Sequence, residues 1–440
     1  MEVDLIIKSK WIAPVIPKAT LLEDYAVIVK DKRILDLCPQ KELKTQYIAE
    51  STVHLSNHIL IPGLVNSHGH AAMALLRGVA DDLPLNDWLE NRIWPIEQGI
   101  VNRDFVLEGT NLAIAEMIAS GTTCFADMYF FPDEVAKAAI SANIRVQTAS
   151  PILDFPTIWA NTADEYILKA TKMHDQYRTE ELVYTAFGPH APYSISDEPL
   201  KKIRVLADEL DIPIHIHLHE TKKEIEDSIA EFGCRPFERL HNLGLITPKL
   251  NSIHSTQLLS NEISIMGTLG TNVIHCPSSN MKLASGFCDV NSLIHQGVNV
   301  ALGTDGAASN NSLNMFNEMR TAALLAKVVS DDATALPAYQ ALEMATINGA
   351  KALGIDELTG SLEPEKFADI TAVSLNEHNT LPVNNAISHL VYAANSSQVT
   401  HVWVSGENIY NEGVLTTMNK KEILGSALKW QGRISKELAL

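Results

Sequence analysis

Histidine and aspartate residues follow several apolar segments of this 440-residue chain, at points where strands are expected to end. His68 and His70 end the stretch IPGLVNSHGH. Because residues i and i+2 of a strand point to the same face, their imidazoles are expected to converge on one point. The other polar side chains at expected strand ends are His215, His217 and His219 in HIHLHE, Glu220 directly after them, His254 in NSIH, His275 in NVIH and Asp305 in ALGTD.

These residue types point to metal chemistry. Three histidines and one aspartate around a divalent ion, with an open position for water, form a catalytic rather than a structural metal site. Such an ion lowers the pKa of bound water to about 7, which supplies hydroxide at neutral pH. A carboxylate in contact with that water can accept its proton, and a neighbouring acid can protonate the atom that receives electrons.

The segments that must position these side chains alternate between helix-like and strand-like patterns from about residue 100. TTCFADM and VYTAFG are typical of short strands, and SDEPLKKIRVLADEL is typical of a helix between two of them. Strand and helix in alternation predict right-handed crossovers and a parallel sheet. We therefore expect an α/β fold with a closed TIM-type (β/α)8 barrel, whose active site lies at the carboxyl ends of the strands.

The two ends of the chain differ from its middle. Short β-like runs with turn residues between them occur in residues 3–57 and again from about residue 365. We expect residues 1–57 and 365–440 to form a small β-sandwich domain together. Residues 58–364 are then expected to form the barrel.

The composition, with 46% hydrophobic and 20% charged residues, is that of an ordinary soluble globular protein. The formal net charge of −19 argues against nucleic acid as a partner. No apolar run is long enough to cross a bilayer, and no leader pattern is recognised, so no membrane partner and a cytoplasmic location are expected. The five cysteines are scattered without a C-x-x-C motif, which favours reduced thiols.

Several motifs together resemble one known family. PGLVNSHGHAAMALLRG, HIHLHET, NSIHS, HCPSSNMKLASG and ALGTDGAASNNSLNMF are similar to motifs of the amidohydrolase superfamily. They resemble most closely its 5-methylthioadenosine/S-adenosylhomocysteine deaminases, which belong to the chlorohydrolase-like group. The resemblance covers nearly the whole chain, including the divided β-domain.

The resemblance implies that His68, His70, His217 and Asp305 bind one Zn²⁺ per chain, with Fe²⁺ or another divalent ion as the alternative. Members with two metals use a carboxylated lysine after the fourth barrel strand. The corresponding stretch here, VYTAFGPHAPYS, contains no lysine. One metal is therefore expected.

The resemblance also implies roles for residues around the metal. Glu220 is the acid that protonates a ring nitrogen, and His254 steers the hydroxide and stabilises the adduct. Asp305 takes part in catalysis and contacts the substrate besides binding metal. Glu97, in IWPIEQG, accepts hydrogen bonds from the ribose hydroxyls, and His190, in GPHAPYS, is a further substrate contact.

Other residues have no assigned chemistry. His215, His219 and His275 are expected to support the ligands or the wall of the site, with simple packing as the favoured interpretation. Residues 147–166 contain no arginine. Some members of the family that the chain resembles carry arginines after the third barrel strand, which suit the carboxylate tail of S-adenosylhomocysteine. The stretch offers Trp159, of undetermined role, and apolar residues, which favours methylthioadenosine or adenosine as the substrate.

The sequence leaves alternative functions open. A deaminase of a free base such as guanine, or an s-triazine amino- or chlorohydrolase, would use the same substitution chemistry, but neither needs a ribose-binding Glu97. A catalytically inactive scaffold is the alternative from a different class, although the four ligands and Glu220 are present. The cytidine-deaminase type is excluded because H-x-E with P-C-x-x-C is absent. The expected partner is a small-molecule purine nucleoside, and a homo-oligomer is allowed.

Overall fold

Two eight-stranded sheets organise the chain, for which a computed structural model describes residues 1–438, apart from the side chains of residues 44, 45 and 86. The strands in chain order are β1 (Glu2–Ile12), β2 (Leu22–Lys30), β3 (Arg33–Pro39), β4 (Ile48–Pro62), β5 (Leu64–Asn66), β6 (Thr122–Asp127), β7 (Arg145–Ile152), β8 (Val183–Pro189), β9 (Ile214–Leu218), β10 (Leu250–His254), β11 (Asn272–His275), β12 (Asn299–Leu302), β13 (Ile370–Ser374), β14 (Val399–Val404), β15 (Glu407–Asn411) and β16 (Val414–Leu415).

Helices lie between most of the strands. They are α1 (Leu43–Gln46), α2 (Leu85–Trp88), α3 (Trp94–Ile100), α4 (Arg103–Ala119), α5 (Pro132–Ala142), α6 (Ala163–Tyr177), α7 (Asp197–Leu210), α8 (Lys222–Phe232), α9 (Pro236–Asn242), α10 (Ser260–Leu269), α11 (Pro277–Lys282), α12 (Val290–His295), α13 (Met315–Ser330), α14 (Ala338–Met344), α15 (Ile347–Ala352), α16 (Ala386–Tyr392) and α17 (Lys420–Glu437). Short 3₁₀ turns occupy Ala71–Leu76, Pro192–Ser194 and Ser396–Gln398, and a π-helical turn spans Leu89–Ile93.

Strands β5 to β12 form the barrel, each parallel to its neighbour in chain order. The backbone N–H of Ser67 donates to the carbonyl of Leu302 at 2.9 Å, which links the first barrel strand to the last. The barrel strands are short and almost entirely buried, as expected for parallel strands covered by helices. All their carboxyl ends therefore open at one rim.

The second sheet combines both ends of the chain. Its strand order is β16-β15-β14-β13-β4-β1-β2-β3. The antiparallel pairing of β13 with β4, in which Ala372 lies opposite Leu60, joins the C-terminal strands to the N-terminal ones. The expected fold class, a TIM-type barrel with additional β-structure from both termini, is confirmed. The domain boundaries at residues 57/58 and 364/365 stay a prediction.

The barrel helices begin and end at residues suited to those positions. At the start of α4, the Asn102 side chain accepts the N–H of Phe105 at 2.9 Å. Thr221 caps α8 in the same way through the N–H of Glu224 at 3.2 Å. Gly233 ends α8 with φ +73°, a conformation that costs glycine little. These caps fix where each helix begins and ends.

A buried ion pair joins the second sheet to the barrel. Arg145 of β7 donates to the Asp369 carboxylate at 2.6 and 3.1 Å, and both side chains are fully buried. The guanidinium also donates to Ser405 Oγ at 2.6 Å and lies 4.1 Å from the centre of the Phe367 ring. Removal of either charge would leave the other buried without its partner.

All five cysteines are free thiols, and four of them are buried. Within residues 1–438, no helix is both long enough and apolar enough to span a bilayer.

Candidate active site

The structure brings four predicted ligands together at the carboxyl rim of the barrel. His68 and His70 follow β5, His217 lies in β9, and Asp305 follows β12. One ligand atom from each of the four lies within 4.8 Å of all the others. The expected strand geometry of the first pair is wrong in detail, because β5 ends at Asn66 and both imidazoles belong to the following loop. Their rings nevertheless converge, with centroids 4.9 Å apart.

Hydrogen bonds on the far side of two rings orient them for a cation. The Nδ1–H of His70 donates to the carbonyl of Met128 at 2.7 Å, and the Nδ1–H of His217 donates to the carbonyl of His190 at 2.7 Å. Both rings therefore direct an Nε2 lone pair into the cluster. The Nε2 atoms of His217 and His68 are only 3.2 Å apart. Nitrogen lone pairs this close repel each other without a shared cation or proton, so the donor set fits a metal.

Asp305 presents one oxygen to the cluster and fixes the other. Its Oδ2 accepts the hydroxyls of Ser279 and Ser309, both at 2.6 Å. Its Oδ1 lies 3.2 Å from Nε2 of His70 and 3.5 Å from Nε2 of His68. Asp305 also has a positive φ of 61°, which is uncommon for residues other than glycine.

The ligand rings differ in their affinity for protons. Burial lowers the pKa of His68 to about 4 and holds that of His217 well below its usual range, so both rings are neutral at pH 7. Burial also opposes protonation of His70, but the Asp305 carboxylate outweighs it and raises the pKa to about 9. A cation and a proton therefore compete for the Nε2 atom of His70.

Glu220 and His254 lie beside the ligands. Nε2 of His254 is 3.8 Å from the Glu220 carboxylate, and the His254 ring stacks on that of His217 with centroids 5.5 Å apart. The Nδ1–H of His254 donates to Asn280 Oδ1 at 2.8 Å. Burial raises the pKa of Glu220, which favours the protonated form that a general acid needs.

The backbone around Glu220 is fixed by two neighbouring side chains. The Glu224 carboxylate accepts the N–H groups of His219 and Glu220, at 2.9 and 2.7 Å. Thr256 Oγ1 donates to the carbonyl of Glu220 at 2.7 Å. Sequence reasoning missed Glu224 and Thr256 because neither ends a strand with a ligand-type side chain.

Glu97 and His190 complete the predicted set. Glu97 lies in α3, outside the barrel strands, and its Oε1 accepts the hydroxyl of Tyr129 at 2.5 Å. Burial raises the pKa of Glu97 to about 7, against the opposing effect of the Tyr129 hydrogen bond. His190 follows β8 with its ring 5.0 Å from that of His217, and burial lowers its pKa to about 4.

One cavity of about 210 Å³ connects these groups. Within the described part of the chain, no lysine or arginine lines it. Its walls are mainly apolar and aromatic. The polar or charged residues that line it are His70, Glu97, Gln98, Thr157, His190, His217, Glu220, His254 and Asp305, with Tyr129 and Tyr193 adding hydroxyls.

The remaining histidines and Trp159 lie outside the cavity lining. His215 is buried in the barrel, with Nε2 2.8 Å from Gln147 Oε1. His219 lies beyond β9 with a φ of 55°, and its Nε2 accepts the N–H of Phe237 at 3.0 Å, away from the ligands. His275 is buried at the end of β11. Phe155 and Ile158, rather than Trp159, line the cavity from the segment after β7.

A parallel barrel with three histidines and one aspartate gathered at the carboxyl rim defines a metal-dependent hydrolase of the TIM-barrel class. Residues 59–409 match the amidohydrolase family. The chain belongs to this family, so the predicted family resemblance is confirmed.

The chain is similar to named relatives and to solved structures over most of its length. The chain is 49% identical over 436 residues, 99% of its length and 98% of the relative's, to a 5-methylthioadenosine/S-adenosylhomocysteine deaminase of Saccharophagus degradans. It is 41% identical to a 5'-deoxyadenosine deaminase of Methanothermobacter thermautotrophicus, over 91% of this chain and 92% of the other. A zinc-bound adenosine deaminase from Xanthomonas campestris superimposes with a TM-score of 0.98 at 45% identity, covering 99% of both chains. An atrazine chlorohydrolase from Arthrobacter aurescens, 21% identical with a TM-score of 0.91 over 97% of this chain and 100% of that one, shares the fold.

Proposed function

We propose that this chain hydrolyses the 6-amino group of adenosine-type nucleosides to release ammonia, with 5'-methylthioadenosine as the preferred substrate. The observation that carries the proposal is Glu97, a carboxylate in the same cavity as the ligand cluster. A carboxylate there suits a substrate with a vicinal diol, and a free base has none. The names of the relatives support the same substrate class.

We further propose that one zinc ion occupies the cluster of His68, His70, His217 and Asp305. The zinc in the similar Xanthomonas structure supports the identity of the ion. The barrel segment Val183–Pro189 and the loop after it offer no lysine for a second ion. A divalent ion bound in this cluster supplies ionised water near neutral pH.

The residues around the cluster then have distinct tasks. Asp305 faces the cluster with Oδ1 and can accept the proton of the attacking water, which it passes to the departing amino group. Glu220 donates its proton to N1 of the purine as C6 is attacked, and it regains a proton from the C6 hydroxyl as ammonia leaves. The product is the inosine analogue plus ammonia, so one water is consumed for each amino group released.

His254 and His190 complete the proposed site. With Nδ1–H donated to Asn280, His254 directs Nε2 toward the Glu220 carboxylate and the cavity. From there it steers the attacking water and stabilises the adduct. His190 holds the ligand His217 through its backbone carbonyl and presents its own ring to the cavity as a substrate contact.

The cavity walls support a short, uncharged 5' group. The carboxylate of S-adenosylhomocysteine would lose water on entry, and no lysine or arginine lines the described cavity to replace it. A methylthio group carries no such cost and suits the apolar wall. Methylthioadenosine is therefore preferred over S-adenosylhomocysteine. A cytoplasmic location and a homo-oligomer stay predictions.

The Glu97→Ala variant tests the proposal. Hydrogen bonds to a charged group are worth about 1.5–3 kcal/mol each, so loss of two should lower kcat/KM on methylthioadenosine by about 10²–10⁴-fold. Activity on 2',3'-dideoxyadenosine, which has no diol, should change little. An equal loss on both substrates would contradict a ribose-binding role. Guanine turnover faster than that of every adenosine derivative would overturn the proposed function.

A further inference from the structure

The hydroxyl of Tyr129 is committed to Glu97. It lies 2.5 Å from Glu97 Oε1, and because a phenol has a single proton, the hydroxyl donates to the carboxylate. Tyr129 is only 5% exposed, and both residues line the cavity. The buried ring and its single donated bond restrict how the carboxylate can turn.

Tyr129 belongs to a short segment that also holds a metal-ligand loop. Asp127, at the end of β6, accepts the N–H of Ala71 at 2.5 Å, and the carbonyl of Met128 accepts Nδ1–H of His70 at 2.7 Å. Asp127 and Met128 therefore hold the loop that carries His70, and the next residue, Tyr129, holds the side chain of Glu97. The position of Glu97 is tied through this segment to the ligand cluster.

Glu97 lies outside the barrel strands. It belongs to α3, which follows a π-helical turn in the segment that connects β5 and β6, whereas the ligands lie at the ends of barrel strands. Because Glu97 is not attached to a barrel strand, its distance from the ligand cluster depends on contacts with other residues. The Tyr129 hydrogen bond supplies that link from the end of β6.

We propose that Tyr129 is a positioning residue that orients Glu97 toward the ribose diol and so contributes to the selection of nucleosides over free bases. This inference rests on the proposed function. With Oε1 held by Tyr129, Oε2 and the second lone pair of Oε1 remain for the two ribose hydroxyls. Tyr129 acts through Glu97 and does not touch the reacting atoms.

The Tyr129→Phe variant removes the hydroxyl and retains the ring. We expect kcat/KM on adenosine and methylthioadenosine to fall about tenfold or more, mainly through a higher KM, because the lost interaction concerns binding of a remote group. On 2',3'-dideoxyadenosine the variant should match the wild type. In a Glu97→Ala background the same substitution should have almost no further effect on any substrate, because its partner is already absent.

The chain offers a matched control in Tyr47, whose hydroxyl donates to the Asp36 carboxylate at 2.9 Å in the second sheet. Tyr47→Phe removes the same kind of bond and should leave all kinetic constants unchanged. An equal loss on diol and dideoxy substrates in Tyr129→Phe, or no loss on either, would overturn the positioning role. If Glu97→Ala itself shows no diol-dependent loss, the ribose-binding role of Glu97 fails and the positioning role fails with it. A diol-dependent loss in Glu97→Ala without one in Tyr129→Phe overturns the positioning role alone, so the two failures are distinguishable.

Discussion

Substitution of Glu220 by glutamine should separate proton donation from every other property of the site. The amide has nearly the same shape as the carboxyl group but cannot give up a proton at neutral pH. The Glu224 carboxylate and the Thr256 hydroxyl bind the backbone N–H and carbonyl of residue 220, so the side-chain substitution leaves both hydrogen bonds in place. Ser285 Oγ, 3.4 Å from Glu220 Oε1, can donate to the amide oxygen equally well.

The expected loss therefore falls on the chemical step. General acid catalysis contributes about 10²–10⁴-fold, which corresponds to about 2.7–5.4 kcal/mol of activation free energy. The kcat of Glu220→Gln should fall by that factor, whereas the metal content should match that of the wild type because residue 220 is not among the four clustered ligands. The assay follows the absorbance change from adenine to hypoxanthine, with elemental analysis of the same sample.

A matched control is available on the next helix. Glu226 lies in α8 and is exposed, so Glu226→Gln changes the net charge equally and should leave kcat unchanged. Near-wild-type turnover by a metal-loaded Glu220→Gln protein would refute the assignment of Glu220 as the acid. Loss of metal from this variant would refute the argument that the substitution leaves the ligand cluster intact.

Three further predictions concern metal binding and stability. Asp305→Ala should retain far less than one equivalent of divalent metal after dialysis, as measured by elemental analysis, whereas wild-type protein retains one; two equivalents would contradict the single-ion site. Arg145→Met should destabilise the fold by about 3–5 kcal/mol in urea unfolding because Asp369 stays buried without its partner, and adding Asp369→Leu should restore most of the loss. Burial lowers the pKa of His58 to about 4, below the ordinary value of 6.5, so the unfolded chain takes up a proton first as the pH falls from 6.5 to 4 and stability declines in that window. The free energy of unfolding should therefore differ less between about pH 7.5 and pH 5 in His58→Leu than in the wild type, by about 1 kcal/mol, a value that allows for the partial exposure of His58. An unchanged difference would contradict this role of His58.

The barrel and the ligand cluster could be predicted because their signals are local. A buried strand with a histidine or aspartate at its end is visible in a single stretch, and parallel strands bring such ends to one rim. That logic applied to His217, His254 and Asp305. It was less accurate for His68 and His70, which converge from a loop rather than from the faces of a strand.

The sequence was less informative where a side-chain direction depends on one backbone angle. His219 continues the alternation of His215 and His217, yet a φ of 55° turns it away from the ligands toward Phe237. A single left-handed residue after a strand has no reliable sequence signal in a histidine. Periodicity therefore identifies the strand but does not determine the direction of the His219 side chain.

The supporting contacts depend on long-range pairing. Tyr129 meets Glu97 across 32 residues, and Ser279 meets Asp305 across 26. Tyr129 lies two residues after β6, near the strand-end position that identified the ligands, so that signal was available. The local sequence around Tyr129 or Ser279 does not indicate which residue each will contact, because the closure of the barrel brings the partners together.

The most direct test of the proposed substrate preference compares kcat/KM of the zinc-loaded protein on 5'-methylthioadenosine, S-adenosylhomocysteine and guanine under identical conditions, scored by ammonia release. We expect methylthioadenosine to be the best of the three. S-adenosylhomocysteine should be slower because no lysine or arginine lines the described cavity, and guanine should be slowest because it has no ribose for Glu97. Faster turnover of guanine, or of S-adenosylhomocysteine, than of methylthioadenosine would contradict this preference.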